Sequence, residues 1–215
     1  MEVYSTEEQQ VEAIKSFWKE NGSQIVVGVV LGLGGFGAWN WYVDKEAATQ
    51  EAASVQYEEF VKVSQAETTS SESVETELKA FTTTYGESGY GVFVQLLAAK
   101  QAVAEAKFDV AANNLTSALT LTDSVSLKEL VSLRLARIQI QLEQYDVALQ
   151  TLGTIKSDGY IARVAELVGD VHLAQGDKDK ARMSYQLAAD NDGLAGNDLL
   201  KMKLDDLALS SKTTS

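Results

Sequence analysis

The chain has 215 residues, no cysteine, a single histidine (His172) and a net charge of −13, with a pI of about 4.5. These numbers exclude disulfides, thiolate chemistry and cysteine or histidine metal clusters, and an acidic surface of this size makes nucleic acid an unsuitable partner. Proline is absent as well, where an average chain of this length holds about 11, so long uninterrupted helices are permitted.

Residues 1–24 read as an amphipathic N-terminal segment, with a short amphipathic helix over residues 1–20. Ser5 and Glu8 fit the S-x-x-E capping box, and Val11, Ile14 and Trp18, with Phe17 beside them, give one apolar face. Asn21-Gly22 reads as a break. From Asn21 to Val43 no residue is charged. Residues 25–43 have the length and apolarity of a transmembrane helix, which must satisfy its own backbone hydrogen bonds in lipid. Trp39, Trp41 and Tyr42 cluster at the end of the span, where amphipathic rings favour the membrane interface. The segment is too long and acidic at its start for a cleaved signal peptide. Gly32, Gly34 and Gly37 match G-x-G-x-x-G, but no strand precedes them, so the dinucleotide reading is rejected. Gly28 and Gly32 form GxxxG, with Gly35 on the same face, a pattern that lets a second membrane helix approach closely. Lys15 and Lys19 before the span, against Lys45 behind it, tilt the N-terminus toward the cytosol.

Residues 44–215 carry 16 Lys/Arg against 26 Asp/Glu, a net of −10. Their abundance of Ala, Leu, Gln, Glu and Lys favours helix, and the expected fold class is all-α. Residues 44–90 read as a leading helical pair, with Ala52, Val55, Phe60 and Val63 on the first helix and Leu78, Phe81 and Tyr85 on the second. Thr68 to Ser73 separates them, and Gly86 and Gly89 end the second.

From residue 91 to 190 the chain repeats. Ala111, Ala148 and Ala181 anchor three units, 37 and 33 residues apart. Leu115, Leu152 and Tyr185 follow four positions later, and Ala118, Ile155 and Ala188 three after that. Ala99, Ala136 and Gly169 precede each anchor by twelve. A period near 34 with a turn inside each unit signals stacked helical hairpins. The small residues on both helices of a unit let two backbones pack closely. Residues 191–215 then supply a capping helix, Leu194 to Leu209, with Leu200, Leu204 and Leu207 at helical spacing, followed by a tail from Ser210.

These columns resemble the tetratricopeptide repeat. Gln95, Ser132 and Ala165 stand where that family usually has tryptophan, and its closing proline is absent, so the units are degenerate. The resemblance places the concave, ligand-binding positions at Leu96, Lys100 and Val103 in the first unit. It places them at Leu133, Arg137 and Ile140 in the second and at Arg163, Glu166 and Asp170 in the third. Lys100 and Arg137 share one repeat position. The competing reading is that some of these pack under the leading helices or the cap. No catalytic constellation appears. A lone His172 without a readable partner is a structural residue by default, the acidic residues are spread over helix faces, and neither a cofactor nor a metal is expected.

The whole chain is similar to the YfgM-type family of ancillary subunits of the bacterial Sec translocon. Gln10-Val11-Glu12-Ala13-Ile14-Lys15, Glu20-Asn21-Gly22, Val27-Gly28-Val29, Leu133-Arg134-Leu135-Ala136-Arg137 and Met202-Lys203 carry that resemblance. It implies a single-pass protein of the bacterial inner membrane, with its N-terminus in the cytosol and its repeats in the periplasm. It also implies the lipid bilayer, the SecYEG translocon, the periplasmic chaperone PpiD and exported polypeptides as partners, and a non-enzymatic role in passing emerging proteins to chaperones. A second reading, from another class, is a stress-signalling regulator whose N-terminal segment holds a cytosolic response regulator.

Overall fold

The computed structural model describes residues 7–66 and 70–212, with side chains from 9 to 207 within those spans. The described residues contain helices and no strand. The chain divides into two compact units, Met1–Glu51 and Ala52–Ser215.

Helix α1 runs without interruption over Glu7–Gln65. The expected break at Asn21-Gly22 does not occur. Asn21 Nδ2 donates to the Phe17 carbonyl at 3.1 Å, and the Trp18 ring covers Gly22, 3.3 Å from where a Cβ would sit. One glycine costs a helix only about 1 kcal/mol, which the long apolar run on one side and the amphipathic turn on the other outweigh. Ser5 of the proposed capping box lies outside the described residues. Val26 to Val43 expose their apolar side chains on all faces, as a helix surrounded by lipid does. No other described helix is both long and apolar enough to cross a membrane. At the end of the apolar run Trp39 stacks toward Tyr42, 6.4 Å between centroids, and Lys45 Nζ lies 5.3 Å over the Trp41 ring.

The second unit is a stack of hairpins. The last turns of α1 join α2 (Ser71–Tyr85) and α3 (Gly91–Ala104). Ala53, Phe60, Val74, Leu78, Phe81, Val94 and Ala98 form the cluster that holds this leading layer together. Helix α2 begins at Ser71, inside the predicted polar break, because the Ser70 hydroxyl accepts from the Ser73 N–H. Helix α4 (Phe108–Thr120) returns against α3. The hairpins α5 (Val125–Gln141) with α6 (Tyr145–Leu152), and α7 (Ile161–Ala174) with α8 (Lys178–Ala188), follow.

The three hairpin turns are copies of one another. Ala106, Glu143 and Gly176 have φ of 57°, 59° and 83° and are spaced by the same 37 and 33 residues as the anchor alanines. At each, the next residue's N–H reaches back five residues at 2.8 Å: Lys107 to Ala102, Gln144 to Gln139 and Asp177 to His172. The positive-φ residue itself donates to Val103, Ile140 or Leu173 at 3.0 Å. This is the Schellman closure that ends a helix through one left-handed residue. Proline is not needed to stop these helices, which is why a chain without proline still makes sharp hairpins.

Packing follows the repeat. Ala111, Ala148 and Ala181 are fully buried. The core cluster of the first hairpin extends to Val131, Leu135 and Ile138 on α5. That of the second reaches Leu167 on α7, and that of the third reaches Leu200 and Leu207 on α9 (Asp198–Lys212). Each hairpin therefore shares its core with its immediate neighbours in the chain, the nearest-neighbour arrangement of a solenoid. The chain reaches α9 through a kinked turn, Ala189–Gly193, with Asp192 at φ 63° and Gly196 at φ 67°. Leu194 to Asn197 are therefore loop rather than the first turn of the cap, and the helix continues into the segment expected to be tail, as far as Lys212.

Candidate functional site

The first helices of the hairpins, α3, α5 and α7, present one face to a groove. Leu96, Lys100 and Val103 on α3 and Arg137 on α5 line a cleft of about 400 Å³, together with Leu97 and Arg134. Its floor is aliphatic, made by Ala99, Leu115 and Ile138. Arg137 also lines a second cleft of about 300 Å³, with Ile140 on α5 and Arg163, Glu166 and Asp170 on α7. The two clefts share Arg137, and eight of the nine positions expected from the repeat register border them. The ninth, Leu133, is only 5 % exposed and packs with Ala136, Leu152, Ile155 and Leu167 beneath the groove. Arg134, one residue on, is exposed and reaches the cleft instead.

The two halves differ in charge. In the α7 half the charges are satisfied within the chain. Lys203 Nζ on α9 donates to Asp170 Oδ1 at 2.7 Å and Glu166 Oε1 at 3.1 Å. Asn197 Nδ2 donates to Glu166 Oε2 at 2.9 Å, and Arg163 pairs with the same oxygen at 3.3 Å. Tyr185, fully buried, donates its hydroxyl to Asp170 Oδ1 at 2.7 Å. Burial and that neighbouring carboxylate push the phenol far above its usual range, and the Lys203 ammonium sits 5.4 Å over its ring. Here the expected groove residues pack under the cap.

In the α3–α5 half Lys100, Arg134 and Arg137 are exposed and engage no carboxylate among the described residues. No acidic side chain lines that cleft. Two carboxylate clasps fix the helices that carry it, one half-buried at Glu105 and one buried at Glu129. Glu105, in the α3–α4 turn, accepts from the Ser71 backbone N–H and from Ser71 Oγ at 2.7 Å, and pairs with Lys107 Nζ at 3.0 Å. The Ser71 hydroxyl and then Lys107 hold this carboxyl down at about 2. Glu129 on α5 accepts the N–H groups of Lys156 and Ser157 at 2.8 and 3.0 Å, tying the loop after α6 to the start of α5. His172 is half-buried on α7 and lines neither cleft.

On α1, Gly28, Gly32 and Gly35 share an open face. A Cβ added at any of them would meet nothing within 4 Å.

Residues 15–209 match the tetratricopeptide repeat-like domain family. Over 212 residues the chain is 36% identical to the ancillary SecYEG translocon subunit of Escherichia coli K12, covering 97% of this chain and 100% of that protein. The corresponding protein of Haemophilus influenzae is 35% identical over 201 residues, 94% of this chain and 97% of that one. The chain belongs to the ancillary SecYEG translocon subunit family. Among solved structures, MamA (residue 41 to the end) from Desulfovibrio magneticus RS-1 superposes with a TM-score of 0.52, covering 74% of this chain and 92% of that one. At 16% identity that likeness speaks for the repeat fold alone.

In this family member the sequence pattern missed Leu97, Arg134, Asn197 and Lys203. Leu97 and Arg134 are themselves one 37-residue period apart, so a groove stripe two residues wide would have included them. Asn197 and Lys203 carry no repeat signal, because they lie beyond the last unit.

Proposed function

We propose that this protein is a single-pass inner-membrane subunit that associates with the SecYEG translocon and binds polypeptide segments in its repeat groove. In this reading α1 crosses the bilayer with its N-terminus in the cytosol, and Gly28, Gly32 and Gly35 contact another membrane helix. The repeats lie in the periplasm. There, Leu96, Lys100, Val103, Arg137 and Ile140, joined by Arg134, take exported chains or a chaperone such as PpiD, and the protein acts by binding rather than by catalysis. The observation that carries the reading is the near full-length similarity to two translocon subunits, supported by an open apolar groove rimmed with unpaired cations. The absence of native cysteine makes topology directly measurable. A single cysteine introduced at Ser64 or Lys178 is expected to react with a membrane-impermeant maleimide in intact spheroplasts, and one at Ser16 only after lysis. The reverse pattern overturns the orientation. SecY and SecE are expected to co-purify with the full chain from mild detergent, and to be lost from a Gly28→Leu/Gly32→Leu variant.

A second reading has one specific observation behind it. Val11, Ile14, Phe17 and Trp18 are exposed by 49–69 % on the first turns of α1, an apolar stripe suited to a cytosolic protein such as a response regulator. Deleting residues 2–18 separates the two: co-purification of the translocon survives under the first reading, whereas the second predicts loss of regulatory output with periplasmic contacts intact.

A further inference from the structure

The groove is electrostatically polarised by the chain's own C-terminal helix. Glu166 and Asp170, which give the α7 half its acidic side chains, are neutralised by Lys203 from α9. Arg163 is consumed by Glu166. The cations of the other half have no such partner among the described residues. Lys100 from one wall and Arg134 and Arg137 from the other border a cleft whose floor is aliphatic and whose lining contains no carboxylate. Three unpaired cations around one cleft stand out in a segment whose net charge is −10. Most other cations of the repeat domain are already engaged: Lys107 with Glu105, Lys128 with Asp123, Lys180 with Asp177 and Arg182 with Asp179. Like charges gathered without counter-charges repel one another, and an occupant bringing negative charge relieves that repulsion.

We infer that the cleft between α3 and α5 selects extended polypeptide segments in which Asp or Glu side chains alternate with aliphatic ones, the acidic side chains meeting Lys100, Arg134 and Arg137 and the aliphatic ones the floor over Leu115 and Ile138. The inference rests on the adaptor reading above and adds the chemistry of the segment bound. Internal acidic side chains fit better than a chain terminus, because three separated cations on two helices exceed what one carboxylate engages, even with a bidentate arginine. An extended chain suits the site because Arg137 borders both this cleft and the neighbouring one that Ile140 lines. Net negative charge elsewhere on the domain repels the same segments, so the attraction is confined to this half of the groove.

The test uses the full chain in detergent micelles and fluorescence anisotropy. The probes are a labelled, C-terminally amidated Glu-Leu-Glu-Val-Glu-Leu peptide, its counterpart with Lys for Glu, and the acidic peptide with a free C-terminus. Each exposed ion pair contributes up to about fivefold in affinity. Arg134→Gln/Arg137→Gln is therefore expected to weaken the acidic peptide about tenfold. Raised salt is expected to act in the same direction, the Lys peptide to bind at least tenfold more weakly than the acidic one, and the free terminus to change affinity less than twofold. Equal binding of acidic and basic peptides, or an unchanged affinity in the double variant, overturns the inference. So does binding confined to the free-terminus peptide, which would make a chain end the occupant. Val103→Asp separates this failure from failure of the adaptor reading. If all three peptides bind equally and all are lost on Val103→Asp, the groove stands and its acidic preference falls. If no peptide binds to either protein, both fall.

Discussion

The third hairpin differs from the other two at one packed pair, and exchanging that pair tests whether the repeat register is the principle of packing. Units one and two place Ala99 opposite Leu115 and Ala136 opposite Leu152; unit three places Gly169 opposite Tyr185. A Cβ at residue 169 would lie 2.4 and 2.5 Å from Tyr185 Cε1 and Cδ1. The ring cannot swing aside, because it is fully buried and its hydroxyl is held by Asp170. Overpacking of this kind costs about 1–3 kcal/mol, and a rigid ring takes it to the upper end. Replacing a helical glycine by alanine returns about 1 kcal/mol. Gly169→Ala should therefore destabilise the repeat domain by about 2 kcal/mol net, which lowers its melting temperature by about 4–8 °C. Tyr185→Leu alone loses one hydrogen bond and part of the ring's packing, about 1–2 kcal/mol. The double variant recreates the Ala–Leu pair of the other two units. It should be no less stable than Tyr185→Leu, a coupling of about 2–3 kcal/mol between the two sites. Urea unfolding of the full chain in detergent, followed by far-ultraviolet circular dichroism, measures all four corners of the cycle. Additivity within about 0.5 kcal/mol would refute the reasoning, since sites in contact must couple.

Ala106→Gly and Glu143→Gly should each raise stability by about 0.5–1 kcal/mol, because both residues hold a left-handed φ that costs a side chain about 1–2 kcal/mol; Gly176→Ala should lose about 1 kcal/mol, and the same urea unfolding compares the three. Glu105 has a folded-state pKa of about 2, below its ordinary 4.5, so the unfolded chain binds more protons between those values and stability falls as pH drops through that window; Glu105→Gln should flatten this acid limb in a thermal-melt series while leaving less stability at neutral pH. Lys203→Met leaves Glu166, 7 % exposed, and Asp170 without their ammonium, a loss of about 2 kcal/mol that should appear as faster proteolysis in the 189–197 turn.

What the sequence made legible follows from what is local. The hairpins could be read because Ala111, Ala148 and Ala181, with the small residues twelve positions before them, repeat a contact between neighbouring helices, and neighbouring contacts leave a period in the chain. The membrane segment could be read because lipid demands an unbroken apolar run. The continuity of α1 through Asn21-Gly22 could not, since a break signal worth about 1 kcal/mol competes with helix propagation on both sides, and only the sum decides. In the groove, repeat register singles out Leu96, Lys100, Val103, Arg137 and Ile140, which border the two clefts. It assigned Leu133 to the surface when α5 packs deep enough to bury it and to present Arg134 instead. The occupation of Glu166 and Asp170 by Lys203 was beyond reach. That contact spans 33–37 residues and joins a repeat to a non-repeat helix, so no pattern within the units announces it.

The most direct test of the central claim, that this protein is a translocon-associated subunit binding polypeptides between α3 and α5, is photo-crosslinking in living cells. A photoreactive residue is placed at Lys100 or Arg137 in the groove, at Gly28 on the anchor, or at Asp109 on α4 as a control outside both clefts, and the adducts are identified by mass spectrometry. The account predicts translocon subunits at Gly28, other polypeptides at Lys100 and Arg137, and few adducts at Asp109. Only self-adducts or lipid at the first three positions, or the same adducts at Asp109 as in the groove, would contradict it.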